Sequence, residues 1–138
     1  MTERTLAILK PDTVQAGNAE AVITMLEAEG LRILASKTLH LDVEKARGFY
    51  AVHRDRPFFE NLITFMTEGP VVVMVLEGAG AIQVLRNVMG VTDPVKAAEG
   101  TIRKSFGTNI ERNAIHGSDA PETAAFEISY FFGQFESA

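Results

Sequence analysis

A two-layer α/β sandwich of the split βαβ type is the fold class that the sequence predicts, on three observations. Apolar runs that read as strands alternate with segments of helical period. One run, Val71-Val-Val-Met-Val-Leu76, is apolar on both faces, as a central strand is. At 138 residues, with 46% hydrophobic and 22% charged side chains, the chain suits one globular domain over residues 1–138 with a substantial core.

The elements follow in order. Thr5-Leu-Ala-Ile-Leu9, ended by Lys10-Pro11, reads as a buried strand. From Ala19 to Glu29, Val22, Met25, Leu26 and Glu29 keep helical spacing, and Gly30 is a natural terminator. Leu31, Ile33, Ala35, Leu39 and Leu41 then alternate, which predicts a half-buried strand with all five on one face. Asp42 can cap a short helix running through Tyr50. Pro57 suits a helix start. Phe59, Leu62, Ile63 and Met66 form that helix's core face, and Gly69-Pro70 stops it. After the central strand, Ala81 to Met89 is a helix with Ile82, Leu85 and Met89 inward, closed by Gly90. A final strand and helix complete the order. Asp119 and Glu122 are expected to form the last helix's capping box, with Pro121 in its first turn.

Composition excludes several classes of function. No run approaches the roughly 18 apolar residues of a membrane span. Met1-Thr-Glu-Arg is followed by no signal-peptide h-region, so none is expected. With no cysteine there is no thiolate or disulfide chemistry, which is compatible with the cytosol. A net charge of −5 argues against a general nucleic-acid footprint. An anionic ligand would therefore need a local cluster of Arg and Lys.

Such a cluster has candidates. Lys10 directly follows a strand, at a sheet end where ligands commonly sit; Arg86 lies in the last turn of a helix; Arg103 lies in the segment beyond it. Two rigid guanidinium forks and a lysine could clamp a polyphosphate; any one taken singly reads first as a solvated surface charge, and it is their position around one loop that is informative. The stretch from Gly90 to His116 has little periodicity and far exceeds the roughly 12–15 residues of an ordinary loop. It carries Thr92, Arg103 and Asn113, which favours a functional role.

The most informative segment is Asn113-Ala-Ile-His-Gly-Ser-Asp119. Gly117 allows close approach to the imidazole, and Ser118 and Asp119 offer it polar partners. His116 is thus a candidate nucleophile, against the alternative of a solvated or satisfied core histidine. His40, His53 and His116 have no metal-ligand spacing. Phe58 is rotated off the core stripe at a helix start; it could stack on a planar ligand or pack against another helix. Gly78-Ala-Gly80-Ala-Ile-Gln83 has Gln where a dinucleotide fingerprint needs Gly, and Lys104-Ser105 follows Arg103 where a P-loop needs Gly.

Taken together, Lys10-Pro11-Asp12, Gly48-Phe-Tyr50, Arg56-Pro-Phe-Phe59, Phe65-Met-Thr-Glu-Gly-Pro70, Gly100-Thr-Ile-Arg103 and Asn113-to-Asp119 resemble nucleoside diphosphate kinase. The resemblance runs from about Arg4 to Phe132. It implies a ferredoxin-like βαββαβ fold, with helices packed on a four-stranded antiparallel sheet. It also implies exchange of the terminal phosphate between nucleoside triphosphates and diphosphates. By that resemblance His116 is phosphorylated on Nδ1, and Ser118 and Glu127 hold it. Lys10 and Asn113 contact the sugar hydroxyl and the reacting end of the nucleotide. Arg86, Thr92 and Arg103 bind phosphates, Tyr50 and His53 line the site, and Phe58 stacks on the base. The resemblance further implies a homotetramer or homohexamer built from dimers. Ser105, Glu20 and Met25 depart from common family residues at positions that do not contact substrate.

The chemistry accounts for those residue types. A neutral imidazole is a good nucleophile near pH 7, and phosphorylating it splits one transfer into two similar steps, hence ping-pong kinetics. No cluster of acidic ligands is evident, so Mg²⁺ is expected to arrive on the nucleotide and keep waters. A base that is stacked but not edge-read predicts broad specificity. Two rivals are a regulatory nucleotide binder without catalysis, disfavoured by His116 and Glu127, and a dinucleotide enzyme, disfavoured by Gln83. The aromatic stretch Phe131-Phe132-Gly-Gln-Phe135 suggests burial against another subunit.

Overall fold

The computed structural model describes residues 2–133. Its sheet has four strands, β1 (Thr2–Leu9), β2 (Arg32–Leu39), β3 (Val71–Ala79) and β4 (Ile115–Gly117). They lie in the order β2-β3-β1-β4, and every pairing is antiparallel. The two apolar runs, β1 and β3, take the middle positions. β1 starts earlier than its apolar run because Thr2, Glu3 and Arg4 pair with Ala79, Gly78 and Glu77.

The helices are α1 (Pro11–Gln15), α2 (Ala19–Ala28), α3 (Val43–Phe49), α4 (Phe59–Met66), α5 (Ala81–Met89), α6 (Ile102–Phe106) and α7 (Pro121–Phe132), with a 3-10 turn at Ala51–His53. With α2 and α5 as its crossovers, the strand order is that of the ferredoxin-like βαββαβ fold. The expected layer number changes, however, because both sheet faces are covered. Leu6, Ile8, Val71 and Val73 pack with Phe49, Ile63, Met66 and Phe131 from α3, α4 and α7. Ala7, Leu9, Met74 and Leu76 pack with Leu26, Leu85 and Ile102 from α2, α5 and α6. The insertion of α3 and α4 between β2 and β3, together with α7, supplies the second helical layer. Alternate residues of β1 and β3 therefore both meet apolar partners, which is why these strands read as apolar throughout.

β2 departs from its expected alternation. Ile33 pairs with Leu76 but Ala35 pairs with Val75, so Leu34 is the extra residue of a bulge. A one-residue insertion exchanges the faces of a strand. Leu31 and Ile33 accordingly pack with the α2–α5 layer, whereas Leu39 and Leu41 pack with the α3–α4 layer.

Helix ends follow the local chemistry in most places. Asp42 caps α3 by accepting the Lys45 N–H at 2.6 Å. α7 differs: Ala120 is its N-cap, and Thr123, not Glu122, closes the start. The Thr123 hydroxyl donates to Asp119 Oδ1 at 2.7 Å and accepts the Ala120 N–H at 3.0 Å. Phe131 and Phe132, expected to be buried against another subunit, find partners within their own chain. Phe131 lies 4.9 Å from Phe49, and Lys37 sits 4.7 Å above the Phe132 ring. Phe135, the remaining aromatic of that stretch, lies outside the described residues.

Candidate active site

His116 is the middle residue of β4, the short edge strand, rather than a loop residue. It pairs with Ile8, which faces the α3–α7 layer, and its ring lies edge-on to Phe49 at 5.4 Å and to Tyr50 at 6.1 Å. Its neighbour Ile115 points into the opposite layer and anchors the strand. Gly117 is required by the same packing: a Cβ there would lie 2.6 Å from Met89 Sδ and 2.8 Å from Leu85 Cδ2.

One oxygen, Glu127 Oε1, receives both the His116 Nε2 proton at 2.8 Å and the Ser118 hydroxyl proton at 2.7 Å. A carboxylate only accepts, so this arrangement assigns the ring proton to Nε2 and leaves the lone pair on Nδ1. Glu127 comes from α7 and Ser118 immediately follows β4, so one helix fixes the imidazole orientation.

At the same sheet end, Lys10 leaves β1 and Asn113 approaches β4. Lys10 Nζ donates to Asn113 Oδ1 at 2.7 Å, and Asn113 Nδ2 donates to the Thr92 carbonyl at 3.1 Å. Burial, reinforced by the charge of Arg103 and opposed by Asp12, lowers the Lys10 pKa to about 8. Thr92 itself is exposed.

Arg103 is buried and has a structural duty that the sequence did not reveal. Its Nε, Nη1 and Nη2 donate to the carbonyls of Asn113, Gly90 and Ile115 at 3.3, 3.1 and 2.8 Å. It thus clasps the end of α5 to the entrance of β4. A guanidinium has five N–H groups, so two remain for a ligand. Burial, then the charge of exposed Arg86, lowers its pKa to about 10, so it keeps its charge at neutral pH. Arg112 ties the same segment to the turn after α4, with both Nη atoms 2.9 Å from the Glu68 carboxylate.

From His116 a line of rings runs outward: Tyr50, then His53 at 6.5 Å from Tyr50, then Phe58 at 5.6 Å from His53. Phe58 is 43% exposed while Phe59 beside it is buried, as the helical stripe predicts. Burial pushes the Tyr50 hydroxyl pKa up, with Glu127 adding to the effect, and this hydroxyl has no hydrogen-bond partner among the described residues.

The expected site residues fall into three neighbourhoods around β4. These are the imidazole with Ser118 and Glu127; Lys10, Asn113, Thr92 and Arg103, with Arg86 close enough to act on Arg103; and the ring series ending at Phe58. Sequence reasoning missed α6, Asp12 and Thr13. For α6 a signal existed, since Thr101 caps it by accepting the Lys104 N–H at 3.3 Å. Gly78 and Ala79 end β3, and Gly80 alone makes the turn into α5, as its N-cap at φ 60°.

Among the described residues no group of three His, Asp or Glu side chains could hold a metal ion. The cationic donor set of Lys10, Arg86 and Arg103 suits a metal carried in on phosphate oxygens. No helix among the described residues is long and apolar enough to cross a membrane.

Known proteins resemble this chain over nearly its whole length. Residues 3–137 match the family model for nucleoside diphosphate kinase. The chain is 62% identical over 134 residues to the nucleoside diphosphate kinase of Desulfosudis oleivorans, covering 97% of this chain and 96% of that one. It is 55% identical to that of Nitratidesulfovibrio vulgaris, over 99% and 98% of the two chains. Among solved structures, the Aquifex aeolicus nucleoside diphosphate kinase superposes with a TM-score of 0.94 at 45% identity, covering 97% of each chain. The halophilic Halobacterium salinarum enzyme, solved in complex with CDP, gives 0.92 at 44% identity, over 96% of this chain and 88% of that one. On fold, site geometry and likeness over nearly its whole length, this chain belongs to the nucleoside diphosphate kinase family.

Proposed function

We propose that this chain carries out the phosphate exchange of its family through a phosphohistidine on His116. The observation that carries the proposal is the shared Glu127 oxygen, which leaves Nδ1 as the unprotonated ring nitrogen. In the first half-reaction the Nδ1 lone pair attacks the γ-phosphorus, the bond to the β-phosphate oxygen breaks, and the diphosphate leaves with that electron pair. The Nε2 proton stays shared with Glu127, whose negative charge offsets the charge gained by the ring. The second half-reaction reverses this with another nucleoside diphosphate, giving ping-pong kinetics.

Catalysis then rests on positioning and charge neutralisation. Lys10, Arg86 and Arg103 supply positive charge to the phosphates. Lys10 and Asn113 hold the sugar hydroxyl and the reacting end, Thr92 adds a phosphate contact, and Tyr50 and His53 line the path from imidazole to base. Phe58 stacks on the base, which reads no base edge and so gives broad specificity. When bound on the phosphate oxygens, Mg²⁺ supplies further charge neutralisation. The lack of cysteine suits work in the cytosol.

The assembly proposed is a homotetramer or homohexamer built from dimers, and Val91, Val95 and Ile110, exposed on the segment leading to β4, are apolar surface available to a subunit contact. Light scattering behind size exclusion measures that state. For the activity, the protein is mixed with ATP, dTDP and Mg²⁺ and dTTP is sought; its absence would contradict the proposed exchange.

A further inference from the structure

The chain enters β4 through a strained turn. Ala114, at φ 78°, is the one non-glycine residue with positive φ among the described residues. Across it the Ile115 N–H donates to the Asn113 carbonyl at 3.0 Å, closing a three-residue turn of the kind that L residues rarely adopt. A backbone held this way persists only where its surroundings impose it.

Here the surroundings are the residues that follow β1. The Ala114 carbonyl accepts the Lys10 N–H and the Thr13 hydroxyl, each at 2.9 Å. Its N–H donates to Asp12 Oδ2 at 3.1 Å. Ala114 is fully buried, so water cannot replace these bonds. On one side of the turn stands Asn113, the acceptor for Lys10; two residues beyond it stands His116. The dihedral at Ala114 therefore fixes the placement of one relative to the other.

We propose that Asp12 is a positioning residue for phosphate transfer, holding the Ala114 turn through its carboxylate so that Asn113 and His116 keep their relative placement. This rests on the assignment of His116 as nucleophile. The work asked of Asp12 is to accept a hydrogen bond, not to carry a charge. Its Oδ1 is buried with no hydrogen-bond partner among the described residues, and burial raises the Asp12 pKa against the opposing pull of nearby backbone N–H groups and Lys10. Thr13 and Lys10 hold the carbonyl side of the same peptide link and do not replace the N–H acceptor.

The test measures single-turnover phosphorylation of the protein by labelled ATP, with ATP affinity obtained separately. Asp12→Ala should slow phosphorylation at saturating ATP about 10–100-fold, as misplacement of a reacting group does, while changing ATP affinity less than about threefold. Asp12→Asn, which keeps an acceptor, should stay within about fivefold of the parent rate. Adding Ala114→Gly to Asp12→Ala should recover most of the loss, because glycine adopts positive φ without the Cβ penalty. An unchanged rate in Asp12→Ala would overturn the proposal. So would an Asp12→Asn protein as slow as Asp12→Ala, or a double variant with no recovery. If Asp12→Ala does not fold, Asp12→Ser, whose hydroxyl ends one bond short of the carboxylate oxygen, takes its place with the same expected loss and the same recovery by Ala114→Gly, and an unchanged Asp12→Ser rate overturns the proposal. His116→Ala is the separate control: label retained there would sink the nucleophile assignment whatever the Asp12 variants do.

Discussion

The His116 imidazole and the Glu127 carboxylate meet at 2.8 Å through Nε2, and the Ser118 hydroxyl meets the same oxygen at 2.7 Å. The helix that supplies Glu127 thereby sets both the tautomer and the aim of the ring. Glu127→Ala should slow phosphorylation by about 1.5–3 kcal/mol, roughly 10–150-fold, the usual worth of a hydrogen bond to a charged group. Ser118→Ala should cost less, because the ring keeps its own bond. Single-turnover rates at saturating ATP measure both, and an Glu127→Ala rate equal to the parent's would remove Glu127 from the mechanism.

Lys10 gives the site a pH signature. Its folded pKa of about 8 lies below the ordinary 10.5, so above pH 8 the empty site increasingly holds a neutral amine. A bound polyphosphate favours the charged form and draws the proton back. Nucleotide binding between about pH 8 and 10.5 should therefore take up protons and weaken as pH rises. Calorimetry in buffers of different ionisation enthalpy detects the uptake, and Lys10→Met should abolish it. The same shift has a stability sign. The unfolded chain holds this proton through that window while the folded chain has released it, so the unfavourable contribution of Lys10 to stability eases as pH rises from about 8 to 10.5.

Phe58 stands at the far end of the ring series, half-exposed and supported by His53. Phe58→Ala should weaken nucleotide binding by about 1–3 kcal/mol, and by similar amounts for purines and pyrimidines. Titrations with ADP, GDP, CDP and dTDP check this. A loss confined to one base would mean that the ring reads an edge or a shape rather than a π-face.

Gly117 is where site and core compete for space. Gly117→Ala would drive a Cβ into the side chains of Met89 and Leu85, both of which are buried and so would have to shift within the core. Overpacking of this kind typically costs about 1–3 kcal/mol. Thermal unfolding should show a lower midpoint, and phosphorylation should slow because β4 carries His116. An unaltered midpoint would show that the core yields.

What the sequence made legible follows from where the physics is local. The helical period together with Gly90 bounded α5 at Ala81–Met89, and the Asp42 cap of α3 was readable because capping depends on neighbours in the chain. The β2 bulge was not readable: a single extra residue at Leu34 leaves apolar spacing plausible on paper while exchanging faces in space. α6 escaped because five residues are too few to show a period. The second helical layer escaped because a doubly apolar strand says that both faces are buried, not by what. Arg103 was expected at phosphates and also proves to be a clasp for three backbone carbonyls. Asp12 was hidden for a similar reason: its partner, Ala114, is remote in sequence, and nothing in the letters Asn-Ala-Ile-His announces a left-handed φ.

The central claim is that His116 carries the phosphate between nucleotides. Incubation with ATP labelled at the γ-position, followed by denaturation without acid, should leave acid-labile label on the parent protein. That label should transfer in full to added dTDP as dTTP. His116→Ala should take up none while still binding ADP. Acid-labile label on the His116→Ala protein, or parent label that dTDP cannot remove, would contradict the account.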